Sequence, residues 1–321
     1  MAENRNAQQV REITDKLEQG IKELFESERF KEYLKTMSKF YNYSFNNTLL
    51  IAMQKPDATL IAGYTAWQRN FDRHVMKGEK GIKILAPAPY KVQEEREKLD
   101  PATQKPVLDK DGKPVTETVE VTRPAFKVVS VFDVSQTDGK ELPDIAVDEL
   151  TGSVENYAAF FDALKALSPV PIAFENITDG AKGYFSHVEN RIAIQEGMSE
   201  IQTIKTAIHE IAHAKLHAVT PGEKVAPEDK KDRRTKEVEA ESVAYTVCQR
   251  YGIETSDYSF GYIAGWSSDK ETKELKGSLE TIRKTAAEMI TGIDEKLKER
   301  IAVKEQEAPT PLRDAAIPVF R

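Results

Sequence analysis

Hydrophobic positions in the first forty residues recur at helical spacing. The pattern predicts helices over residues 4–40, with one apolar face formed by Val10, Ile13, Leu17, Ile21 and Leu24. Shorter helices are predicted over residues 44–55, where Pro56 ends the pattern, and over residues 64–73. The chain therefore begins as a mainly helical region.

The apolar period then changes from helical to alternating. Residues 82–85 and 125–134 predict strands, because β-branched and aromatic residues cluster there between turn signals. The charged segment 93–122 contains the turn sequence Asp109–Lys113, which favours a hairpin or a mobile loop. A polar stretch with Gly139 and Pro143 predicts a linker.

The second half alternates helices and short strands again. Helices are predicted over residues 153–167, 199–218, 236–251 and 270–299, with strands at 172–174, 184–188 and 191–194. We therefore expect an α+β fold with two domains. The predicted boundaries are 1–136 for the first domain, 137–150 for a linker, 151–302 for the second domain and 303–321 for a disordered tail.

Composition narrows the class of protein. The chain has 321 residues, of which 40% are hydrophobic and 31% are charged, and it lacks the long apolar run that a membrane span needs. No secretory signal is evident, and the single cysteine, Cys248, excludes an intramolecular disulfide or a thiolate metal cage. A cytoplasmic protein without membrane contact is the simplest interpretation.

Charge is distributed unevenly along the chain. The formal net charge is -7, yet residues 1–90 contain 14 Lys and Arg against 11 Asp and Glu. The overall acidity therefore does not exclude a nucleic-acid partner for the N-terminal region.

The sharpest chemical motif is His209-Glu210-x-x-His213, in the middle of a predicted helix. Residues four apart share a helix face, so both imidazoles can bind one Zn²⁺ ion. Glu210 then suits the role of general base, taking a proton from a water molecule that attacks a carbonyl group. The motif predicts a zinc metallopeptidase.

A third ligand is required, and spacing leaves the choice open. His217 continues the helix face but lies roughly 12 Å from His209 along the axis, too far to bind the same ion. The carboxylate candidates on the next helix are Glu237, Glu239 and Glu241. Glu237 and Glu241 share one face of that helix, whereas Glu239 lies on another.

A family resemblance bears on this choice. The motif and the following Glu-Ala resemble the metallopeptidase domains of the ImmA/IrrE and ArdC types, which implies Glu239 as the third ligand. The same resemblance implies that Glu241 orients a zinc-bound histidine by hydrogen bonding. For His217, the helix spacing favours a role in capping the helix or in supporting a ligand by a hydrogen bond. The N-terminal half is similar to the ArdC domain, also found in LtrC-like proteins of conjugative elements, at Tyr43–Asn47, Gly63–Trp67, Gly78–Ile82 and Val131–Gln136.

That resemblance implies a single-stranded DNA-binding domain in an antirestriction protein of a mobile element. Single-strand binders combine cations for phosphates with aromatic rings for bases. The candidate DNA-binding residues are Arg69, Lys77, Lys80, Lys83, Trp67, Tyr43 and Asn46. Trp67 equally suits a small hydrophobic core.

The leading hypothesis is a single-stranded DNA-binding antirestriction protein with a zinc metallopeptidase domain. Two alternatives stay open: a DNA-binding antirestriction protein with a structural metal site, and a regulatory protease that acts on a repressor. Tyr184, Tyr245 and Tyr262 are candidates for stabilising an oxyanion, and strand 191–194 for pairing with a peptide substrate.

Overall fold

The computed structural model describes residues 2–142, 154–218, 231–258 and 260–307. It combines helices with mostly antiparallel strands, so the predicted α+β fold is confirmed. Within these residues the helices are α1 (Ala2–Leu24), α2 (Ser27–Lys39), α3 (Phe45–Gln54), α4 (Tyr64–Phe71), α5 (Val154–Leu167), α6 (Glu200–His217), α7 (Arg233–Arg250), α8 (Ile263–Ser267) and α9 (Thr272–Glu307). The strands are β1 (Ile61–Gly63), β2 (Arg73–Val75), β3 (Ile82–Pro87), β4 (Tyr90–Glu97), β5 (Thr116–Arg123), β6 (Phe126–Asp133), β7 (Thr137–Gly139), β8 (Ile172–Glu175), β9 (Gly183–Ser186) and β10 (Arg191–Gln195).

The chain divides into two compact units that are not consecutive in sequence. The first contains the described residues of Met1–Ile21 and Leu49–Glu141, and the second those of Lys22–Thr48 and Leu142–Arg321. Segment 22–48 therefore departs from the predicted first domain, 1–136. Its aromatic residues pack inside the second unit, since the ring centroids of Phe30 and Phe260 lie 5.2 Å apart. Residues 143–153 and 308–321, with most of the predicted linker and tail, lie outside the described residues.

The first unit is built on a three-stranded antiparallel sheet in the order β1-β6-β3. Ile82 pairs with Val131, and both side chains are buried on one face. The charged segment forms the antiparallel ribbon β4–β5, so a hairpin is found there and not an irregular loop. Strands β2 and β7 pair separately.

Asp133 joins several parts of the first unit at the end of β6. Its carboxylate accepts hydrogen bonds from the backbone amides of Thr59 (2.7 Å), Leu60 (3.1 Å) and Ser135 (3.0 Å). Burial by itself would raise the pKa of Asp133, but these hydrogen bonds, with one from the Ser135 hydroxyl, outweigh it and lower the pKa.

The second unit positions the chemistry identified in the sequence. Its sheet has the order β8-β10-β9, with β10 parallel to β8 and antiparallel to β9. Helix α6 packs against β9 and β10, and α7 packs against α6, α9 and α2. Since α7 is enclosed by other helices, its rotation about its own axis decides which glutamate faces α6.

Candidate metal centre and nucleic-acid interface

Helix α6 presents three histidines along one face. Ser199 caps its N-terminus by accepting a hydrogen bond from the Gln202 amide. The Nε2 atoms of His209 and His213 lie 3.0 Å apart. His217 lies on the other side of His213, with the two Nδ1 atoms 3.0 Å apart, so it does not join His209 at one ion.

Glu237 on α7 completes a set of three ligand atoms. Its Oε2 atom lies 3.6 Å from His209 Nε2 and 3.4 Å from His213 Nε2. Ligands bound tetrahedrally to Zn²⁺ at about 2.0–2.1 Å are roughly 3.4 Å apart. The three atoms therefore fit one small divalent cation, and the two nitrogen donors and one oxygen donor suit a transition metal.

The resemblance implies Glu239 as the third ligand, but the structure places Glu237, and not Glu239, beside His209 and His213. Glu239 is fully buried and faces away from His209, because it is two residues from Glu237 on a helix. Its Oε2 atom lies 3.0 Å from His217 Nε2, and Lys231 donates to both of its oxygens, at 2.7 and 2.8 Å. Burial would raise the pKa of Glu239, but the bonds from His217 and Lys231 outweigh it and lower the pKa.

The charges of Glu237 and the two nearby histidines depend on one another. Hydrogen bonds to His209 and His213 hold the pKa of Glu237 well below its usual range. Burial disfavours the charged form of His209, yet the bond to Glu237 and nearby carboxylates outweigh this and raise its pKa. When His209 carries a proton, the negative charge of Glu237 balances it. The same carboxylate would balance the charge of a divalent cation bound in place of that proton.

Glu210 lies beside the ligand set and is held by strand β9. Its carboxylate accepts a hydrogen bond from the Phe185 amide, and burial raises its pKa above the ordinary value. This close approach of helix and strand depends on Gly183. A Cβ atom there would come within 2.6 Å of a Thr206 methyl group and 2.9 Å of the Ala193 carbonyl oxygen.

An open pocket of about 520 Å³ lies in front of these groups. Its walls include Phe185, His187 and Lys236, besides the three ligands and Glu210. Sequence reasoning missed His187. The alternation of the predicted strand 184–188 could have identified it, since residues 185 and 187 share one side of an extended chain.

The strand that offers a free edge at this pocket is β9. Strand 191–194 was a candidate from the sequence, but β10 is paired on both sides, with β8 and β9, and cannot add another strand. Among the described residues β9 pairs only with β10. Its other edge is open to a ligand beside the pocket.

Glu241 and the three candidate tyrosines make contacts outside the set of His209, His213 and Glu237. Tyr262 donates a hydrogen bond to Glu241, so the structure pairs Glu241 with a tyrosine and not with a histidine of the site. Tyr184 lines the pocket and donates to Glu175 at 2.6 Å. Tyr245 is 2% exposed and packs against Tyr258 and Phe260, away from the pocket lining.

The predicted DNA-binding residues fall into three groups. Trp67 is fully buried, and its Nε1 donates to the Phe132 carbonyl oxygen at 2.9 Å, so the prediction that its ring stacks on a base is wrong. Tyr43 and Asn46 fold with the second unit. The four cations of the first unit have exposed side chains: Arg69, Lys77, Lys80 and Lys83.

Tyr64 is an exposed aromatic residue at the start of α4. Its side chain is 51% exposed, and its ring packs edge-on against Phe132, with centroids 6.2 Å apart. Gly81 lies close to the same Phe132 ring. This side of the sheet therefore presents an aromatic surface near exposed cations.

Comparison with known proteins identifies both parts of the chain. Residues 4–132 match the N-terminal domain of the anti-restriction factor ArdC. Residues 169–251 match the M78 peptidase family, described as the IrrE N-terminal-like domain. The chain joins an ArdC-type domain to an IrrE-like domain. The range of the IrrE-like match includes β9 and Glu210, together with His209, His213 and Glu237.

Several known proteins are similar to this chain in sequence. A Bacillus anthracis protein, the uncharacterized protein pXO2-81, is 30% identical over 91% of the chain, and two Escherichia coli proteins called DNA primase TraC are 33% and 27% identical over 43% and 63%. The chain spans 52% of the first relative and only 12% and 14% of the primases.

Solved structures of the antirestriction protein ArdC from plasmid R388 resemble the chain at low identity. The metal-free form is 22% identical with a TM-score of 0.46, covering 81% of this chain and 86% of that one. The Mn(II)-bound form is 20% identical with a TM-score of 0.45, covering 81% and 85%. In the described part of this chain, none of the helices is long and apolar enough to cross a membrane.

Proposed function

We propose that the IrrE-like domain is a metal-dependent peptidase with His209, His213 and Glu237 as ligands. The observation that carries the proposal is the convergence of two imidazole nitrogens and one carboxylate oxygen within 4.8 Å, beside the buried Glu210. The M78 match supports a peptidase over other hydrolases. The three ligand residues fit Zn²⁺, and the same donors also accept Mn²⁺ or Co²⁺.

Each residue has a distinct task in hydrolysis. A bound divalent cation supplies Lewis acidity toward a carbonyl group and a water molecule. Glu210 takes a proton from the attacking water on its carboxylate and passes it to the leaving amine. Burial raises the pKa of Glu210 above the ordinary carboxyl value, which makes the carboxylate a stronger base, and the Phe185 amide fixes its orientation.

The substrate we propose is an extended peptide segment. Strand β9 can add one strand at its free edge, and main-chain hydrogen bonds would align the peptide along the pocket. His187 and Lys236 then face the reacting carbonyl from the pocket wall, where a cation or N–H donor stabilises developing negative charge.

Metal binding tests the ligand set directly. We expect purified wild-type protein to bind one equivalent of Zn²⁺, and His209→Ala and Glu237→Ala each to weaken binding at least about 100-fold, because a ligand is lost. Glu200→Gln, on the exposed side of α6, serves as the matched control and should bind as wild type. Wild type that fails to bind Zn²⁺, Mn²⁺ and Co²⁺ would overturn the proposal.

For the ArdC-type domain we propose binding of single-stranded DNA in an antirestriction protein of a mobile element. Exposed Lys80 and Lys83 contact phosphates, and exposed Tyr64 stacks on a base. The match to the N-terminal domain of the anti-restriction factor ArdC and the name of the DNA primase relatives support this partner.

Salt dependence of oligonucleotide binding tests this interface. Loss of two phosphate contacts in a Lys80→Gln/Lys83→Gln double variant should reduce the slope of log K against log salt by about 1.4. Lys98→Gln/Lys105→Gln removes the same charge from exposed residues of the same unit and should leave the slope unchanged. Equal slopes for all three proteins would refute the assigned contacts.

Antirestriction and hydrolysis can be separated in one further comparison. A Glu210→Gln variant keeps the ligands and the bulk of the side chain but lacks the base. If antirestriction in cells survives this change while the Lys80→Gln/Lys83→Gln variant loses it, DNA binding carries the antirestriction function. If the Glu210→Gln variant loses antirestriction and the Lys80→Gln/Lys83→Gln variant keeps it, hydrolysis is the essential activity.

A further inference from the structure

We infer that His217 and Glu239 are positioning residues that fix the tautomer and ring orientation of His213 for metal binding. The inference rests on the proposed metal site. The sequence already suggested that His217 supports the site; the structure adds Glu239 as the group that holds His217, in place of the ligand role that the resemblance implied for it. Neither residue belongs to the ligand set, yet both are joined to it by an unbroken row of hydrogen bonds.

The row begins at the ring of His213. Its Nε2 atom faces His209 and Glu237, and its Nδ1 atom lies 3.0 Å from His217 Nδ1. A neutral imidazole carries one N–H, and a metal requires the lone pair of the other nitrogen. His213 can bind through Nε2 only with its proton on Nδ1, which then donates to His217.

The second link fixes the direction of the first. His217 Nδ1 must accept, so its own proton lies on Nε2, which is 3.0 Å from Glu239 Oε2. A carboxylate can only accept, so Glu239 excludes the opposite arrangement of protons. With both rings neutral, one tautomer assignment satisfies every nitrogen and leaves His213 Nε2 free for a cation.

Burial makes this arrangement rigid. The side chains of His217 and Glu239 are 2% and 0% exposed, so water does not compete for these hydrogen bonds. Lys231 donates to both oxygens of Glu239 and keeps the carboxylate charged without a proton. Hydrogen bonds therefore connect Lys231 and the Glu239 carboxylate on α7, through His217, to the proposed ligand His213 on α6.

Two substitutions of similar size distinguish positioning from packing. His217→Asn keeps an acceptor oxygen close to the place of Nδ1, whereas His217→Leu removes it and leaves an apolar side chain. If His217 positions His213, the Leu variant should bind Zn²⁺ about 10–100-fold more weakly, and the Asn variant should recover most of that loss. If His217 serves packing only, the apolar Leu should be tolerated at least as well as Asn.

The measurement is the Zn²⁺ dissociation constant of the full chain by chelator competition, together with thermal unfolding of the metal-free protein. Equal Zn²⁺ affinity of wild type, His217→Asn and His217→Leu would overturn the inference while leaving the metal site intact. Wild type that binds no metal would instead overturn the proposed function.

Histidine NMR gives a second test that needs no variant at the site. In ¹⁵N-labelled wild type with Zn²⁺, we expect the His213 ring to bind the metal through Nε2 and to carry its proton on Nδ1. A His213 ring that binds through Nδ1, or a His217 ring protonated at Nδ1, would refute the inference even if the variants at His217 fail to fold.

Discussion

Substitution of Trp67 separates a core role from a DNA-stacking role. The ring is 0% exposed, and its Nε1 holds the Phe132 carbonyl of the central strand. Trp67→Ala should therefore cost about 3–5 kcal/mol through cavity formation, plus about 1 kcal/mol for the carbonyl left without its donor. Since a whole domain is stable by about 5–15 kcal/mol, the first unit would lose much of its stability.

A milder change keeps the comparison interpretable. Trp67→Phe retains most of the apolar volume and loses the hydrogen bond, so we expect a cost of about 1–2 kcal/mol and a folded protein. Urea unfolding followed by far-ultraviolet circular dichroism measures both variants, because Trp67 itself is lost as a fluorescent reporter. The other tryptophan, Trp266, lies in the second unit.

The DNA arm of the experiment uses Tyr64 as the contrasting aromatic residue. We expect Trp67→Phe to bind single-stranded DNA within about twofold of wild type, as measured by fluorescence anisotropy. Tyr64→Leu should lose one stacking contact, about 1–3 kcal/mol or roughly 5–150-fold in affinity. A folded Trp67→Phe protein with more than about tenfold weaker DNA binding, beside an unaffected Tyr64→Leu, would refute the reasoning.

Two further predictions concern the pH dependence of stability at Asp133 and the close packing of β9 against α6 at Gly183. Because the folded-state pKa of Asp133 is lowered, its contribution is present above the ordinary carboxyl pKa of about 4 and is lost as pH falls through the lowered value. The difference in unfolding free energy between wild type and Asp133→Asn should thus shrink between pH 5 and pH 3; a constant difference would contradict a role for the charge. Gly183→Ala should cost about 1–3 kcal/mol, because its methyl group meets the Ala193 carbonyl, and should reduce peptide hydrolysis more than Zn²⁺ affinity. Unchanged thermal unfolding and activity would show that β9 can move away from α6 at no cost.

The sequence predicted the chemistry of the site better than its geometry. The helix with His209, Glu210 and His213 followed from spacing, and so did the grouping of Glu237 with Glu241 on one face of α7. Which face turns toward α6 depends on how α7 packs among α2, α6 and α9. No local pattern contains that rotation, so the resemblance implies Glu239 whereas the packing of α7 brings Glu237 to the two histidines.

The same limit explains why spacing alone could not decide the burial of Trp67 and Tyr64. Trp67 and Tyr64 are three residues apart in one short helix segment, yet one is buried and the other is half exposed. Their spacing indicates only that they lie on the same side of a helix, and it does not indicate which of them is buried. The contact of Trp67 with Phe132 depends on a strand more than sixty residues away in the chain, a separation the hydrogen bond itself records. Tertiary contacts of this kind decide burial after local structure is set.

The departure of segment 22–48 from the first unit affects the order in which the protein can fold during synthesis. Phe25 and Phe30 leave the ribosome early, but their partners Trp266 and Phe260 are made only after the whole first unit. The second unit, which contains α6 and α7, therefore completes its core only when nearly the entire chain has been translated. A fragment that begins at residue 151 would carry every ligand of the site, yet it would leave Trp266 and Phe260 without the helix that covers them.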